Sequence, residues 1–210
     1  MAQPPTKQKI DLARERKDLY APSAKAPVLV DVPEFPFLMI DGAGDPNTVP
    51  EYREALTALY GVVYPLKFAI GAAMRRDYAV PPLEGLWWIE GDGDPFAVDR
   101  AAWQWTLMLR LPEEATPELI AGARAKAAKK AHANVLDLLR VERFREGPAA
   151  QVLHVGPYAD ERPTVERLHT FIAEQGLTPL GKHHEIYLND PQRTAPEKLK
   201  TVLRQPVRMT

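Results

Sequence analysis

The hexapeptide His183-His184-Glu185-Ile186-Tyr187-Leu188 sets a carboxylate among two imidazoles and a phenol. These are the side chains of proton transfer and of metal binding. In a strand, alternation separates them: His183, Glu185 and Tyr187 share one face, His184, Ile186 and Leu188 the other. The adjacent histidines then point apart and cannot grip one ion, and no H-E-x-x-H spacing occurs. His132, His154 and His169 lack ligand-like spacing as well, so neither a metal nor another cofactor is expected. Ile186 and Leu188 read as core, which leaves Glu185 facing either solvent or a groove. In a groove lined by aromatic rings, such an acid attracts a cation or acts as general base on a water.

Aromatic residues form a second set. Trp87 and Trp88 lie on one predicted strand, Trp103 and Trp105 on the next. Trp88, Trp103 and Trp105 are expected to stack on a flat ligand, the competing reading being plain core. Tyr60, Tyr64 and Phe68 recur every fourth residue on a predicted helix and are candidate ligand contacts. Tyr64 and Tyr78 are candidate hydroxyl donors, or packed rings with the hydroxyl at the surface. Other chemistries are excluded by residue type. There is no cysteine, and Ser23, in the N-terminal arm, is the only serine. That removes disulfides, thiolate sites and serine nucleophiles. "DGAGDP" (41–46) and "GDGDP" (91–95) lack the strand–GxGxxG–helix setting of a dinucleotide site and read as turns. Lys126, Lys129 and Lys130 read as a solvated helix face.

Positioning these residues requires a definite order of elements. Residues 1–27 read as a polar arm, loosely packed. "FPFLMIDGAG" (35–44) is a strand ending in a glycine turn. Thr48 and Glu51 form a capping box that opens a helix, which Pro65 should kink or break. Residues 82–91 and 102–112 are strands. Thr116 caps, and Pro117 begins, a connecting helix over about 116–134. The pattern then repeats: strand 149–156, amphipathic helix 160–176, strand 182–188, one or two helical turns in "PEKLKTVL", and a short last strand in "RQPVRM". Repeat 1 spans about 28–112 and repeat 2 about 141–210, within one domain at 28–210. "LMIDGAGDPNTVPEYREAL" and "VLHVGPYADERPTVERL" share their layout, an internal duplication at low identity. Two such units pair about a pseudo-two-fold axis and leave a groove between them. The fold class is α+β, with antiparallel sheets, helices and a central ligand groove.

Bulk properties agree. The 210 residues are 45% apolar and 26% charged with net charge -1, a globular composition with no field drawing it to nucleic acid or anionic membrane. The 21 prolines imply rigid connections. The N-terminus lacks the apolar core of a signal peptide, and "YGVVYPLKFAIGAAM" reads as too short to span a bilayer, so a cytoplasmic protein is expected.

"DYAVPPLEGLWW", "WQWTLMLRLP", "HVGPYADERPT" and "HHEIYLNDPQRTAPEKLKTVLRQPV" resemble the GyrI-like small-molecule-binding family, in its stand-alone branch, from about Lys9 to Val207. The resemblance implies a tandem pair of strand-helix-strand-strand units. It implies binding of hydrophobic, cationic or planar compounds in the central groove. Related domains are effector-binding parts of multidrug-responsive regulators, and the founding member binds DNA gyrase. Some stand-alone members hydrolyse cyclopropane-bearing DNA-alkylating compounds. Glu185 matches the family's groove glutamate and is the implied general base. Tyr187, Tyr64 or Tyr78 would donate to a developing oxyanion, and His183 would line the ligand. No helix-turn-helix pattern is seen, so direct DNA contact is not expected. A non-catalytic sensor or sequestering protein, or a gyrase-interacting protein, is the alternative.

Overall fold

The computed structural model describes residues 9–91, 93, 97–129 and 133–209. Two 16-residue strands, β1 (Val28–Ala43) and β4 (Arg140–Val155), pair antiparallel from Val28↔Gln151 to Met39↔Arg140. β1 also pairs with β3 (Gln104–Arg110), β3 with β2 (Leu83–Trp88), and β2 with β6 (His183–Tyr187). β6 pairs with β7 (Lys200–Met209), and β7 returns to β4, so the sheet closes on itself as an antiparallel barrel. A short strand, β5 (Leu177–Pro179), adds to the far end of β7. The order β1-β3-β2 of the first half is repeated by β4-β7-β6 of the second. The two halves meet at the β1–β4 and β2–β6 seams, as the duplication requires.

Strand alternation gives the barrel two apolar faces. Phe37, Met39, Leu86 and Met108 pack on the inner face, beside a cluster containing Leu19, Tyr20, Val32 and Ile186. On the outer face, helix α3 (Pro50–Met74) buries Leu59, Val62, Val63, Leu66 and Ile70 against Leu38, Ile40, Leu107 and Leu109. Helix α6 (Arg162–Glu174) buries Val165, Leu168 and Ile172 against Val152 and Leu203.

Several expectations need correction. From residue 9 onward the N-terminal arm is docked. It forms two one-turn helices, α1 (Leu12–Glu15) and α2 (Lys17–Tyr20), and Leu19 is 1% exposed within the inner-face cluster. There is no capping box: Val49 is the N-cap of α3 without a side-chain bond, and the Thr48 hydroxyl bonds to the Asp45 carbonyl instead. Pro65 does not break α3, since the buried Val62, Val63, Leu66 and Ile70 around it offset one missing backbone bond. At 25 residues α3 is long and apolar enough to cross a bilayer by length and composition, contrary to the shorter segment read above, but its apolar stripe is spent on the barrel. The connecting segment is two helices, α4 (Pro117–Ala127) and α5 (Ala133–Asp137), with residues 130–132, His132 among them, outside the described residues. Most of the 91–95 turn lies outside them too. "PEKLKTVL" supplies only a 3₁₀ turn, Pro196–Lys198, because β7 already begins at Lys200.

Candidate functional site

On β6 the burial alternates as expected: His184 and Ile186 are buried, while His183, Glu185 and Tyr187 turn to the outer side. Across the seam, Gly85 stands opposite Glu185 and Trp87 opposite His183. The outer face of the β2–β6 seam is therefore a floor with Glu185 at its centre. Two helical stripes wall it. Tyr52, Leu56, Tyr60 and Tyr64 of α3 follow a four-residue spacing on one side; Glu161, Val165 and His169, at the start of and along α6, do so on the other. Tyr158, in the 3₁₀ turn before α6, the 189–192 loop and Trp103 complete a cavity of about 1900 Å³.

The rings interlock above the floor. Tyr52 stacks on Trp87 at 6.2 Å between centroids, Trp103 meets Trp87 edge-on at 5.7 Å, and Tyr158 meets Tyr187 edge-on at 5.6 Å. The polar contacts form a chain: the Trp87 indole N–H donates to the Tyr187 oxygen at 3.0 Å, and the Tyr187 hydroxyl donates to Glu185 Oε2 at 2.7 Å. His183 Nε2 lies 3.7 Å from Glu185 Oε1. Burial lowers the His183 imidazole to about 4, so it is neutral at physiological pH. Burial also pushes Glu185 up to about 7, opposed by the Tyr187 hydrogen bond and the His184 charge. Glu161 rises further, to about 9, first through burial and then through the facing charge of Glu185. The two carboxyls titrate as a pair in which ionising one disfavours ionising the other.

Behind Glu185, on the inner face, lies a separate buried network. His184 Nδ1 is 3.0 Å from Glu146 and its Nε2 is 3.1 Å from Glu84. Arg204 donates to Glu146 at 3.0 Å, to Gln151 at 2.9 Å and to the Leu19 carbonyl at 2.8 Å, while the Tyr20 hydroxyl donates to Glu84 at 2.8 Å. Despite its burial, His184 is raised to about 9 by Glu146 and Glu84, so two cations balance two carboxylates. Among the described residues no three His, Asp or Glu side chains converge as a metal site does.

The sequence-derived candidates separate by position. Glu185, Tyr187, His183, Trp103 and Tyr60 line the groove, and Tyr64, 50% exposed, stands at its rim. Trp88 also borders it, with its ring under Lys182 Nζ at 3.3 Å. Trp105 is core: it is 1% exposed, and its ring lies where a Cβ on Gly42 would sit. Tyr78 is fully buried and donates to the Arg110 carbonyl at 3.0 Å, so its hydroxyl serves the fold. Phe68 is 69% exposed and outside the groove. Each four-residue step turns about 40° around a helix, so the stripe that begins at Tyr52 has rotated away by Phe68. Tyr52, Tyr158 and Glu161 were missed. The stripe spacing extended back to Tyr52 was the available signal for the first, and Glu161–Val165–His169 for the last.

The model of the GyrI-like small molecule binding domain matches residues 25–208. The chain belongs to the GyrI-like family. Among solved structures, this GyrI-like protein is similar to an uncharacterised conserved protein from Listeria innocua, at 42% identity and TM-score 0.86 over 95% of this chain and 100% of that one. It is also similar to a hydrolase from Listeria innocua, at 41% identity and TM-score 0.83 over 96% and 100%. The EcmrR C-terminal domain shares only the fold, at 13% identity and TM-score 0.51 over 88% and 98%. No curated protein matches the sequence.

Proposed function

We propose that the groove binds flat hydrophobic or cationic compounds and hydrolyses strained electrophiles among them, with Glu185 as general base. The observation that carries this is a buried carboxyl, raised to about 7, hydrogen-bonded by Tyr187 at the floor of an aromatic cavity and facing a second carboxyl, Glu161. The hydrolase name of the 41% identical relative supports it. For a cyclopropane joined through one shared (spiro) carbon to a cyclohexadienone, the water oxygen forms a bond to the cyclopropane methylene as its bond to the spiro carbon breaks. The released electron pair runs through the dienone to its oxygen, which takes a proton from neutral Glu161. Glu185 takes the water's proton. The sum is addition of water, giving an alcohol and a phenol, and proton exchange with solvent restores the pair. The rings of Trp87, Trp103 and Tyr52 stack on the planar body.

With an ionised base at about 7 and a protonated acid at about 9, the rate follows a bell between these limbs. Purified protein is mixed with excess cyclopropane-dienone probe, and product is counted against enzyme. Many turnovers are expected from the wild type, and from Glu185→Gln a rate reduced at least about a hundredfold with probe binding retained. Equal rates for the two would remove the base assignment, and one equivalent of product or less from the wild type would leave a sequestering protein.

A further inference from the structure

Two observations on the floor are not explained by general-base chemistry alone. One is the direction of the hydrogen-bond chain. A tyrosine hydroxyl accepts and donates, and its single hydrogen can turn toward several acceptors. Here the Tyr187 oxygen is occupied by the Trp87 N–H at 3.0 Å, and its hydrogen goes to Glu185 at 2.7 Å. The other is the residue beneath this chain. Gly85 is the register partner of Glu185, at a strand position where glycine has no intrinsic advantage. A Cβ there would lie 2.8 Å from Trp87 Nε1 and 3.2 Å from the Tyr187 oxygen, wedged under the contact between them.

We infer that Trp87 is a positioning residue: its indole N–H commits the Tyr187 hydrogen to Glu185, and Gly85 is the gap in the floor that lets the two rings meet. The role of Glu185 as base rests on the function proposed above, but the relay itself does not. A donor bond into the phenol oxygen polarises the O–H and strengthens its own donation onward. The carboxylate at the end of the chain is then favoured over the acid. Trp87 is held for this task by the Tyr52 ring stacked on it and the Trp103 edge against it.

The test reads Glu185 directly, by carbon NMR of the carboxyl in protein labelled at the glutamate side-chain carbonyl. The groups facing Glu185 are Glu161 and Tyr158 from the α6 side, Tyr52 from α3, and His183 and Tyr187 on its own strand, with His184 behind it. Of these Glu161 is the carboxyl coupled to it, so every protein carries Glu161→Gln, while His184, raised to about 9, keeps its partners Glu146 and Glu84 in every protein and acts equally in all of them. Trp87→Phe keeps a ring and deletes the N–H. It is expected to raise the Glu185 midpoint by about half a pH unit to one unit. Tyr187→Phe should raise it by more, and adding Trp87→Phe to Tyr187→Phe should then change nothing, because Trp87 acts through the phenol. Gly85→Ala, which leaves every donor in place, should reproduce the Trp87→Phe rise. An unchanged midpoint in Trp87→Phe overturns the inference, as does the same rise in the absence of the Tyr187 hydroxyl, which would mark a packing effect. The expected shifts together with no turnover of the cyclopropane-dienone probe by the wild type, which keeps Glu161, would leave the relay standing and remove only the hydrolytic reading.

Discussion

Replacing Glu161 by glutamine isolates the energetic cost of holding two carboxyls in one groove. Glu161 is 5% exposed, and its Oε1 has no hydrogen-bond partner among the described residues. Burial, and then the charge of Glu185, raise it from 4.5 to about 9. The folded state therefore holds a proton that the unfolded chain releases, and stability falls as pH rises through that window. At pH 5 the window has been entered by only about 0.5 pH unit, a ceiling of about 0.7 kcal/mol. At pH 8 the window has been crossed by about 3.5 pH units, which sets a ceiling of about 5 kcal/mol at 1.36 kcal/mol per unit. Sharing of the repulsion with Glu185, and water in the open groove, bring this to about 2–3 kcal/mol. Glu161→Gln should thus stabilise the protein at pH 8 by that amount, raising Tm by about 5–10 °C, and by less than about 1 kcal/mol at pH 5. Wild type and variant are melted at both pH values at fixed ionic strength. The difference between them isolates Glu161 from His184, whose raised value also makes stability fall as pH rises from 6.5 through about 9. A gain at pH 8 no larger than at pH 5 would show that Glu161 is not held neutral by the fold.

Two further outcomes test the division between fold and site. Arg204→Met strips Glu146 of a partner at 3.0 Å in the barrel interior, so urea unfolding should show a loss of about 3–5 kcal/mol, whereas a loss under 1 kcal/mol would mean the network is not buried as described. Tyr78→Phe should cost about 1–2 kcal/mol with no change in Kd for a flat fluorescent ligand, while Trp103→Ala should weaken that ligand about three- to tenfold with little change in stability.

Local pattern was legible wherever alternation or helical spacing decided the outcome. The faces of β6 follow from period two alone, which placed Glu185 outward and His184 inward. The duplication indicated two matching halves, and the barrel repeats them. Elements whose signal was masked by charge were not legible in full. β4 begins at Arg140 because Arg140 and Arg143 of "RVERFREG" are satisfied by ion pairs rather than by burial, Arg143 to Glu34 and Glu113 and Arg140 to Asp41 and Glu142. Nor could one strand's pattern assign the tryptophans. Trp103 and Trp105 share a side, yet Trp105 meets Tyr52 edge-on at 5.3 Å within the core under α3, while Trp103 lies beyond the end of β3, at the groove. For Glu161 the spacing with Val165 and His169 marked a shared stripe but not the chemistry. Its chemistry depends on the approach of β6, and nothing in "PYADERPT" records that neighbour.

Closure of the barrel has a consequence for ligand range. β2 and β6 are hydrogen-bonded on both sides, to β3 and β7 as well as to each other. The floor therefore has no edge along which to slide, and Glu185, Tyr187 and Trp87 ride on a rigid seam. The walls are different: they are side chains on two helices and one proline-bounded loop, and rings such as Tyr64 at the rim can re-seat without disturbing a ladder. The shape of the groove and the placement of Glu185 thus reside in different parts of the molecule. Substitutions at Leu56, Tyr60 and Tyr64 can diversify the shapes admitted while Glu185, Tyr187 and Trp87 stay fixed.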